Sequence, residues 1–323
     1  MNRTVSTPAQ PQIPGYPEMK VLVNSPMSNM TTWRLGGPAD LVVRAGHPNL
    51  VLAALRWASD EALPVTVIGG GSNLLVGDEG IRGLVIVART PGERAEKLLT
   101  TEDLGDQMRV RVAAQAPLSW VGRFCSERGW AGMDWGVGLP GAIGGATVNN
   151  AGAHGTEMKD HLETVEIARS DGTTELHNRA WLHPTYRHTR LKDASQPRGV
   201  AVTWVELLLP KGDPVELQRL ADEHAAYRHL TQPTGKCAGS TFTNPPGDYA
   251  GRLIEAAGLK DFAVGGVRFS TIHSNFIVND GSGTAEQVLA LIAHAQAVVL
   301  DRFGVQLETE IETIGTFTGR NAA

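Results

Sequence analysis

The pattern of hydrophobic and polar positions predicts both helices and strands along the chain. Apolar residues three or four apart, as at Leu52, Leu55 and Ala58, are typical of a helix with one face in the core. Apolar residues at every second position, or in short unbroken runs, are typical of strands. On these grounds we predict helices over residues 49–63, 117–128, 214–229, 249–257 and 285–303, and strands over residues 65–68, 84–87, 109–113, 165–169, 174–176, 200–209, 276–279 and 307–314.

Changes in this pattern divide the chain into a leader and three units. Residues 1–18 are rich in proline and polar residues and lack a hydrophobic run, so we predict a disordered leader. A helix, a strand, a glycine loop and a second strand make a first unit over residues 19–90. A second unit with a strand, a helix and a hairpin spans residues 91–213, and a C-terminal unit spans residues 214–323.

A glycine-rich ribbon occupies residues 136–155. It holds seven glycines in twenty residues and no Asp, Glu, Lys or Arg. Such a density of glycine indicates backbone that bends sharply or lies very close to another group. Exposed N–H groups without large side chains suit a phosphate-bearing ligand. A tightly packed crossover without a ligand explains the same composition, and the ribbon alone does not choose between the two.

Another glycine loop, residues 69–73, follows directly after the predicted strand 65–68. It precedes the ribbon in the chain, so it is called the first glycine loop and the ribbon the second. Its Ser72 hydroxyl and the neighbouring N–H groups suit a pyrophosphate. Neither loop is a Rossmann dinucleotide-binding fingerprint. The ribbon has Pro140 inside its motif and no predicted strand before it. Residues 69–73 follow a strand but lack the third spaced glycine. Two such loops on separate units favour one long ligand with a central diphosphate, such as a flavin dinucleotide.

The last predicted strand places three carboxylates on one face. With period-two alternation, Glu308, Glu310 and Glu312 face one way and the residues between them face the other. Neighbouring carboxylates disfavour one another's ionisation, which raises the pKa of a partly buried member. The alternative is an exposed edge strand whose charges prevent aggregation. Alternation alone cannot choose among the three glutamates.

Two further polar residues stand in turn-rich segments. Ser240 lies in a loop where its hydroxyl can face a cleft, although a turn or capping serine is the simpler interpretation. No GxSxG elbow surrounds it, so we do not predict an acyl-transfer nucleophile. Arg187 belongs to a small basic and aromatic cluster and suits bidentate binding of a carboxylate or phosphate. An ordinary surface arginine is the alternative.

Composition narrows the classes of function. The 323 residues carry a net charge of −5, which argues against electrostatic binding of nucleic acid. No apolar run is long enough to predict a membrane span. Cys125 and Cys237 lie far apart and the ten histidines are scattered, so we predict no metal site and a reducing compartment.

Six motifs taken together resemble the UDP-N-acetylenolpyruvoylglucosamine reductase (MurB) family. They stand in the family's order and extend from about residue 24 to residue 315. Agreement across several separate motifs is far more specific than any one glycine loop. The motifs are NMTTWRLGGPA (29–39), VIGGGSNLLV (67–76), GLPGAIGGATVNNAGAHG (138–155), YR (186–187), GSTFTNP (239–245) and LETEI (307–311).

The resemblance implies a bacterial, cytoplasmic flavoprotein oxidoreductase of peptidoglycan synthesis, and thus a role in cell shape and division. It implies non-covalent FAD as cofactor and NADPH as co-substrate in the reduction of UDP-N-acetylglucosamine enolpyruvate to UDP-N-acetylmuramate. The implied fold is α+β, with a two-part FAD-binding domain of the vanillyl-alcohol-oxidase type (residues 19–90 and 91–213) and a C-terminal α/β substrate-binding domain (residues 214–323). A monomer without nucleic-acid or membrane partners is expected.

Family roles fall on matching positions of this chain. Arg187 would polarise the substrate, Ser240 would donate a proton and Glu310 would complete the catalytic site. Tyr186 and Asn244 match substrate contacts. The implied FAD contacts are Gly69, Gly70, Gly71, Ser72, Asn73 and Leu74 in the first loop, and Gly138, Pro140, Gly141, Ile143, Gly144 and Thr147 in the second. Short segments between the three catalytic positions are similar to the compact form of the family, which lacks an extra substrate-covering loop.

The chain departs from the family pattern outside the three catalytic positions. Residues 112–117 stand where relatives have a glycine-containing loop, Trp33 replaces a phenylalanine, Asn149 replaces a methionine and His154 replaces a tyrosine. Two other functions remain open from the residues. One is a related flavin oxidase with another substrate, which leaves the three catalytic matches unexplained. The other is a non-catalytic protein whose glycine loops hold a sugar nucleotide.

Overall fold

The structure is a computed structural model that describes residues 11–193 and 199–318. Its strands are β1 (Leu22–Pro26), β2 (Pro38–Arg44), β3 (Val65–Ile68), β4 (Leu74–Val76), β5 (Ile81–Val87), β6 (Leu99–Asp103), β7 (Gln107–Ala113), β8 (Gly152–Ala153), β9 (Thr156–Glu157), β10 (Leu162–Ala168), β11 (Thr174–Asn178), β12 (Ala201–Pro210), β13 (Ala263–Val264), β14 (Val267–Phe269), β15 (Ile277–Asn279) and β16 (Glu312–Ile314). Its α-helices are α1 (Pro48–Asp60), α2 (Gly92–Ala95), α3 (Leu118–Glu127), α4 (Ile143–Val148), α5 (Met158–His161), α6 (Arg179–Leu182), α7 (Pro214–Thr231), α8 (Ala250–Ala256) and α9 (Ala285–Phe303).

The five predicted helices are confirmed as α1, α3, α7, α8 and α9. Their boundaries follow local signals. Thr284 and Gln287 form a reciprocal capping box at the start of α9, and the helix ends at Gly304 with φ +67°. The predicted hairpin is likewise confirmed, because β10 and β11 pair antiparallel across the turn that contains Gly172.

Two sheets build the first two units. A four-stranded sheet in the order β1-β2-β5-β3 has β2 and β3 parallel to β5. Leu55 and Trp57 of α1 are buried in the same core cluster as Leu84 of this sheet. A five-stranded antiparallel sheet in the order β11-β10-β12-β7-β6 follows, and residues of α3 and α4 share its core.

The C-terminal unit packs against the first unit. Its sheet, β13-β14-β15, shares a core with α8 and α9. Trp33 of the first unit is fully buried in this core, and its indole N–H donates to the carbonyl of Ile277 at 2.8 Å. The chain then returns to the first unit, where β16 runs parallel to β4 with Glu312 opposite Leu74. This return places the segment before β16 beside the first glycine loop.

The predicted leader is wrong at its C-terminal end. Residues 1–10 lie outside the described residues, but residues 11–18 pack against the first unit. Ile13 is 3% exposed, and Gln12 forms a β-bridge with Lys20. Ile13 and Tyr16 thus attach this proline-rich segment to the core of the first unit.

The predicted strand over residues 307–314 is also wrong over most of its length. Only Glu312–Ile314 forms a strand, preceded by one isolated bridge between Thr309 and Phe242. The segment joins two different partners, the Ser240 loop before Ile311 and β4 after it. A strict two-residue alternation therefore does not describe which of its side chains are buried.

Candidate active site

The two predicted glycine loops meet in space. The Ser72 hydroxyl donates to the carbonyl of Pro140 at 3.4 Å. A Cβ added at Gly70 would lie 2.7 Å from the Cα of Gly141, closer than real contacts allow. The first loop follows β3 and the second contains α4, so two units contribute to one continuous surface of backbone.

This surface fits a diphosphate. The N–H groups of Gly70, Gly71 and Ser72 donate to no backbone carbonyl in the described part of the chain, and neither do those of Gly141 and Ala142. No charged side chain interrupts either loop. Backbone donors beside small residues approach phosphate oxygens closely. These residues therefore fit the pyrophosphate of FAD and are the ones that would hold it.

Asn73, Leu74 and Gly138 lie at the borders of this surface. The side-chain amide of Asn73 donates to the backbone carbonyl of Glu310 at 3.1 Å, so the first glycine loop is tied to the C-terminal segment. Leu74 begins β4. The N–H of Gly138 donates to the Ser119 hydroxyl at 2.8 Å, so this donor is already used within the protein.

Three residues of the second glycine loop, Ile143, Gly144 and Thr147, are buried in the protein. Ile143 and Thr147 are 0% and 1% exposed, and the Thr147 hydroxyl donates to the carbonyl of Ile143 at 2.9 Å. A Cβ at Gly144 would lie 2.8 Å from the Cβ of Ala114. The assignment of these three residues as cofactor contacts stays a prediction, and the side chains of Ile143 and Thr147 also belong to the protein core.

Arg187 and Glu310 form a half-buried ion pair. The Nε of Arg187 lies 2.9 Å from Oε1 of Glu310. The N–H bond is not aligned with that oxygen, so Nε is a buried donor without a hydrogen-bond partner among the described residues. Nη2 of Arg187 donates to the carbonyl of Gly152 at 2.8 Å. The guanidinium is thereby fixed on one side and keeps donors for an anionic ligand.

Burial raises the pKa of Glu310 above its ordinary value of 4.5, while the positive charges of Arg187 and Lys192 act in the opposite direction. The direction that we predicted is confirmed, but the predicted cause is wrong. The neighbouring glutamates do not act as a carboxylate cluster, because Glu308 is exposed and Glu312 pairs with Lys192 at 3.0 Å. Desolvation alone favours the protonated form of Glu310.

Ser240 lies in a loop that is hydrogen-bonded to the Glu310 segment. The N–H of Glu310 donates to the carbonyl of Thr241 at 2.8 Å. Asn275, which is 3% exposed, holds the other side of this loop by accepting from the N–H of Phe242 and donating to its carbonyl. The backbone that directly follows Ser240 is therefore fixed relative to Glu310.

A cavity of about 290 Å³ opens beside Ser240. Asn244, Tyr249, His273 and Asn275 contribute to its lining. A larger cavity of about 530 Å³ lies in the second unit, next to His161. Because that larger cavity contains none of the predicted site residues, the smaller one is the better candidate for a ligand.

The two predicted substrate contacts are both exposed. Tyr186 is 47% exposed, and the guanidinium carbon of Arg187 lies 5.1 Å from its ring centroid, within cation–π range. The side-chain oxygen of Asn244 accepts from the N–H of Ala250 at 3.0 Å and so supports the start of α8. Its amide nitrogen leaves Asn244 a donor for a ligand.

Sequence reasoning missed two residues that organise this region, Lys192 and Asn275. Lys192 is not recognisable from the sequence, because a lone lysine after Tyr186-Arg187 forms no motif. Asn275 stands just before a predicted strand, where an asparagine normally indicates only a turn. Each acts through long-range contacts, which spacing along the sequence does not reveal.

Within residues 11–193 and 199–318, no group of three or more metal-ligating side chains is found. Across the same residues no helix is both long and apolar enough to cross a membrane. Cys125 and Cys237 are free thiols.

Comparison with protein families matches both parts of the chain. Residues 39–176 match an FAD binding domain, and residues 230–314 match the C-terminal domain of UDP-N-acetylenolpyruvoylglucosamine reductase. Together with the mixed helix and strand content, these matches confirm the predicted fold class, a FAD-binding part followed by a C-terminal domain.

Individual relatives agree. The chain is 42% identical over 302 residues to UDP-N-acetylenolpyruvoylglucosamine reductase of Anaeromyxobacter sp. (strain Fw109-5), covering 92% of this chain and 90% of that protein. It is 38% identical over 300 residues to the reductase of Myxococcus xanthus (strain DK1622), covering 92% and 93%. The crystal structure of the reductase (MurB) from Thermus caldophilus matches with a TM-score of 0.72 and 34% identity, covering 91% of this chain and 98% of that one.

Proposed function

The chain belongs to the UDP-N-acetylenolpyruvoylglucosamine reductase family, and we propose that Arg187, Ser240 and Glu310 carry its catalysis. The enzyme is an FAD-containing oxidoreductase that uses NADPH to reduce UDP-N-acetylglucosamine enolpyruvate to UDP-N-acetylmuramate, a peptidoglycan precursor. When bound, FAD supplies the redox chemistry by accepting a hydride from NADPH and delivering it to the enolpyruvyl group.

In this proposal Arg187 and Glu310 act on the substrate carboxylate. Hydride arrival at the enolpyruvyl double bond pushes negative charge toward that carboxylate. Arg187 opposes the charge with its fixed guanidinium, and a protonated Glu310 donates a hydrogen bond to it. Partial burial strengthens both interactions, since water screens them less.

Ser240 supplies the proton in this proposal. Its hydroxyl donates to the carbon next to the one that receives the hydride, as a positioned general acid. A serine hydroxyl is a weak acid, so the transfer becomes favourable only after negative charge has built up on the substrate. The cavity beside Ser240 offers space for the substrate, with Tyr186 and Asn244 as further contacts.

One observation carries this assignment: the Arg187–Glu310 pair, at 2.9 Å, is connected to both the Ser240 loop and the first glycine loop. Glu310 donates its N–H to Thr241 and accepts at its carbonyl from Asn73. Three segments far apart in sequence thus converge at the border of the surface that fits a pyrophosphate.

The test separates the two half-reactions under anaerobic conditions. We expect NADPH to bleach the flavin absorbance of the purified yellow protein, and the enolpyruvyl sugar nucleotide to restore it. Product should form in a 1:1 ratio to oxidised NADPH. Reduction by NADPH without reoxidation by this substrate would instead indicate a flavin oxidase or dehydrogenase of another specificity.

The flavin should be bound non-covalently, because both loops offer backbone donors for a pyrophosphate. Denaturing the protein with acid or heat should release the whole flavin absorbance into the filtrate, and chromatography should identify it as FAD. Flavin that stays with the precipitated protein would contradict this prediction.

Gly70→Ala should weaken FAD binding at least about tenfold, roughly 1.4 kcal/mol. The added Cβ would lie 2.7 Å from the Cα of Gly141, so the two loops must separate. Equilibrium titration of apoprotein with FAD measures the change. Gly212→Ala is the matched control, since its Cβ would make only ordinary contacts at 3.5 Å or more. An unchanged dissociation constant for Gly70→Ala would show that the loops do not both contact the cofactor.

We also propose that the protein works as a cytoplasmic monomer with units at residues 19–90, 91–213 and 214–323. Two free cysteines support a reducing compartment. The three larger sheets each lie within one of these units, while β16 pairs back to β4. Sedimentation velocity at micromolar concentration tests the monomer, and limited proteolysis tests the boundaries.

A further inference from the structure

Lys192 is a half-buried cation that no role above explains. Its Nζ donates to the side-chain oxygen of Asn149 at 2.9 Å and to the backbone carbonyl of Arg187 at 3.1 Å, and it forms an ion pair with Oε1 of Glu312 at 3.0 Å. Its side chain is only 17% exposed. Two of its three N–H donors are thus used by Asn149 and Arg187, and its charge is balanced by Glu312.

The three partners of Lys192 belong to different segments of the site. Asn149 ends α4 in the second glycine loop, and its amide oxygen also lies 3.5 Å from the side-chain nitrogen of Asn73 in the first. Glu312 begins β16, two residues after Glu310. Arg187 lies in the loop that follows α6. Lys192 therefore joins both glycine loops, the arginine loop and the C-terminal strand at one point.

Arg187 itself needs such support. Its backbone has φ +58°, a left-handed conformation that a non-glycine residue adopts only when its surroundings impose it. Lys192 holds its carbonyl, while Gly152 holds its guanidinium. With the backbone carbonyl and the guanidinium of Arg187 both held, its Nε lies 2.9 Å from Oε1 of Glu310. Loss of the contact to the carbonyl would let the loop relax toward ordinary dihedral angles and carry the guanidinium away.

We propose that Lys192, held by Asn149 and Glu312, is a positioning residue that fixes Arg187 beside Glu310 for reduction of the enolpyruvyl group. The inference rests on the proposed catalytic roles of Arg187 and Glu310. It assigns to Lys192 no contact with substrate or cofactor, because the ammonium group is held within the protein by two acceptors and an ion pair. The lysine acts only through Arg187.

Lys192→Met tests this role, because methionine keeps the length and removes the ammonium group. We expect flavin reduction by NADPH within about twofold of the parent enzyme, and reoxidation by the enolpyruvyl substrate slowed roughly ten- to hundredfold. In an Arg187→Ala background, Lys192→Met should slow reoxidation by less than about twofold more, since the residue through which it acts is gone.

Two further variants complete the design. Lys192→Met/Glu312→Gln removes both charges of the ion pair and keeps the test valid if the single variant, with its unpaired carboxylate, folds poorly. Lys211→Met is the matched control, a lysine paired with exposed Asp103 at 2.6 Å and remote from the site. Flavin content and the thermal midpoint are measured for every variant.

The results for these variants distinguish failure of the role of Lys192 from failure of the proposed function. Normal reoxidation in Lys192→Met, together with slow reoxidation in Arg187→Ala, would overturn the inference and leave the proposed function standing. Additive losses in the Arg187→Ala background would show that Lys192 acts on the substrate directly, which also contradicts it. Normal reoxidation in Arg187→Ala alone would overturn the proposed function, and the role of Lys192 with it.

Discussion

Replacing Ser240 with alanine should slow reduction of the enolpyruvyl group by a factor of about 100 to 10,000, the usual contribution of a positioned general acid. Flavin reduction by NADPH should stay nearly intact, because that hydride transfer needs no proton from this hydroxyl. The loop should keep its shape, since its hydrogen bonds to Asn275 and Glu310 involve backbone atoms of Thr241 and Phe242 rather than the Ser240 side chain. Stopped-flow absorbance of the two half-reactions measures both effects.

Ser282→Ala is a suitable control for this change. Its hydroxyl donates to Asp280 in an exposed turn and does not line the cavity beside Ser240. We expect both half-reactions of this variant to match the parent enzyme. Equal slowing of the two half-reactions in Ser240→Ala would mean that the variant disturbs the site as a whole, and the assignment of Ser240 as the proton donor would be refuted.

Glu310→Gln should impair the second half-reaction and change its pH dependence. The amide keeps the shape and a hydrogen-bond donor but removes the titrating group. Burial raises the pKa of Glu310 above 4.5, and the protonated form is the one that donates to the substrate. In the parent enzyme the rate should therefore fall as pH rises through this raised pKa. That fall should be absent in Glu310→Gln, as rate measurements across pH would reveal.

The neighbouring glutamates provide the controls. Glu308 is exposed, so Glu308→Gln should leave both half-reactions close to those of the parent enzyme. Glu312→Gln removes the partner of Lys192 and should cost less than Glu310→Gln. If either control variant lost more of the second half-reaction than Glu310→Gln at equal flavin content, the choice of Glu310 would be wrong.

How much of the fold the sequence predicts depends on how far apart in the chain the interacting residues lie. The capping box at Thr284 and the hairpin turn at Gly172 depend on residues within a few positions, so local patterns predicted α9 and the β10–β11 pair correctly. The segment before β16 depends on partners from two remote parts of the chain. Its period-two alternation therefore predicted a longer strand than the structure contains.

The same distinction holds for the site. The sequence by itself determined two charge-free glycine loops and the motif positions of Arg187, Ser240 and Glu310, because these are properties of residue type and order. Only the tertiary structure decided which glutamate is buried beside the arginine, and by what cause its pKa is raised. It alone identified Lys192, whose two acceptors and ion-pair partner come from different segments of the chain. Burial and hydrogen bonding are properties of what packs around a residue, and packing brings together positions that the order of residues keeps apart.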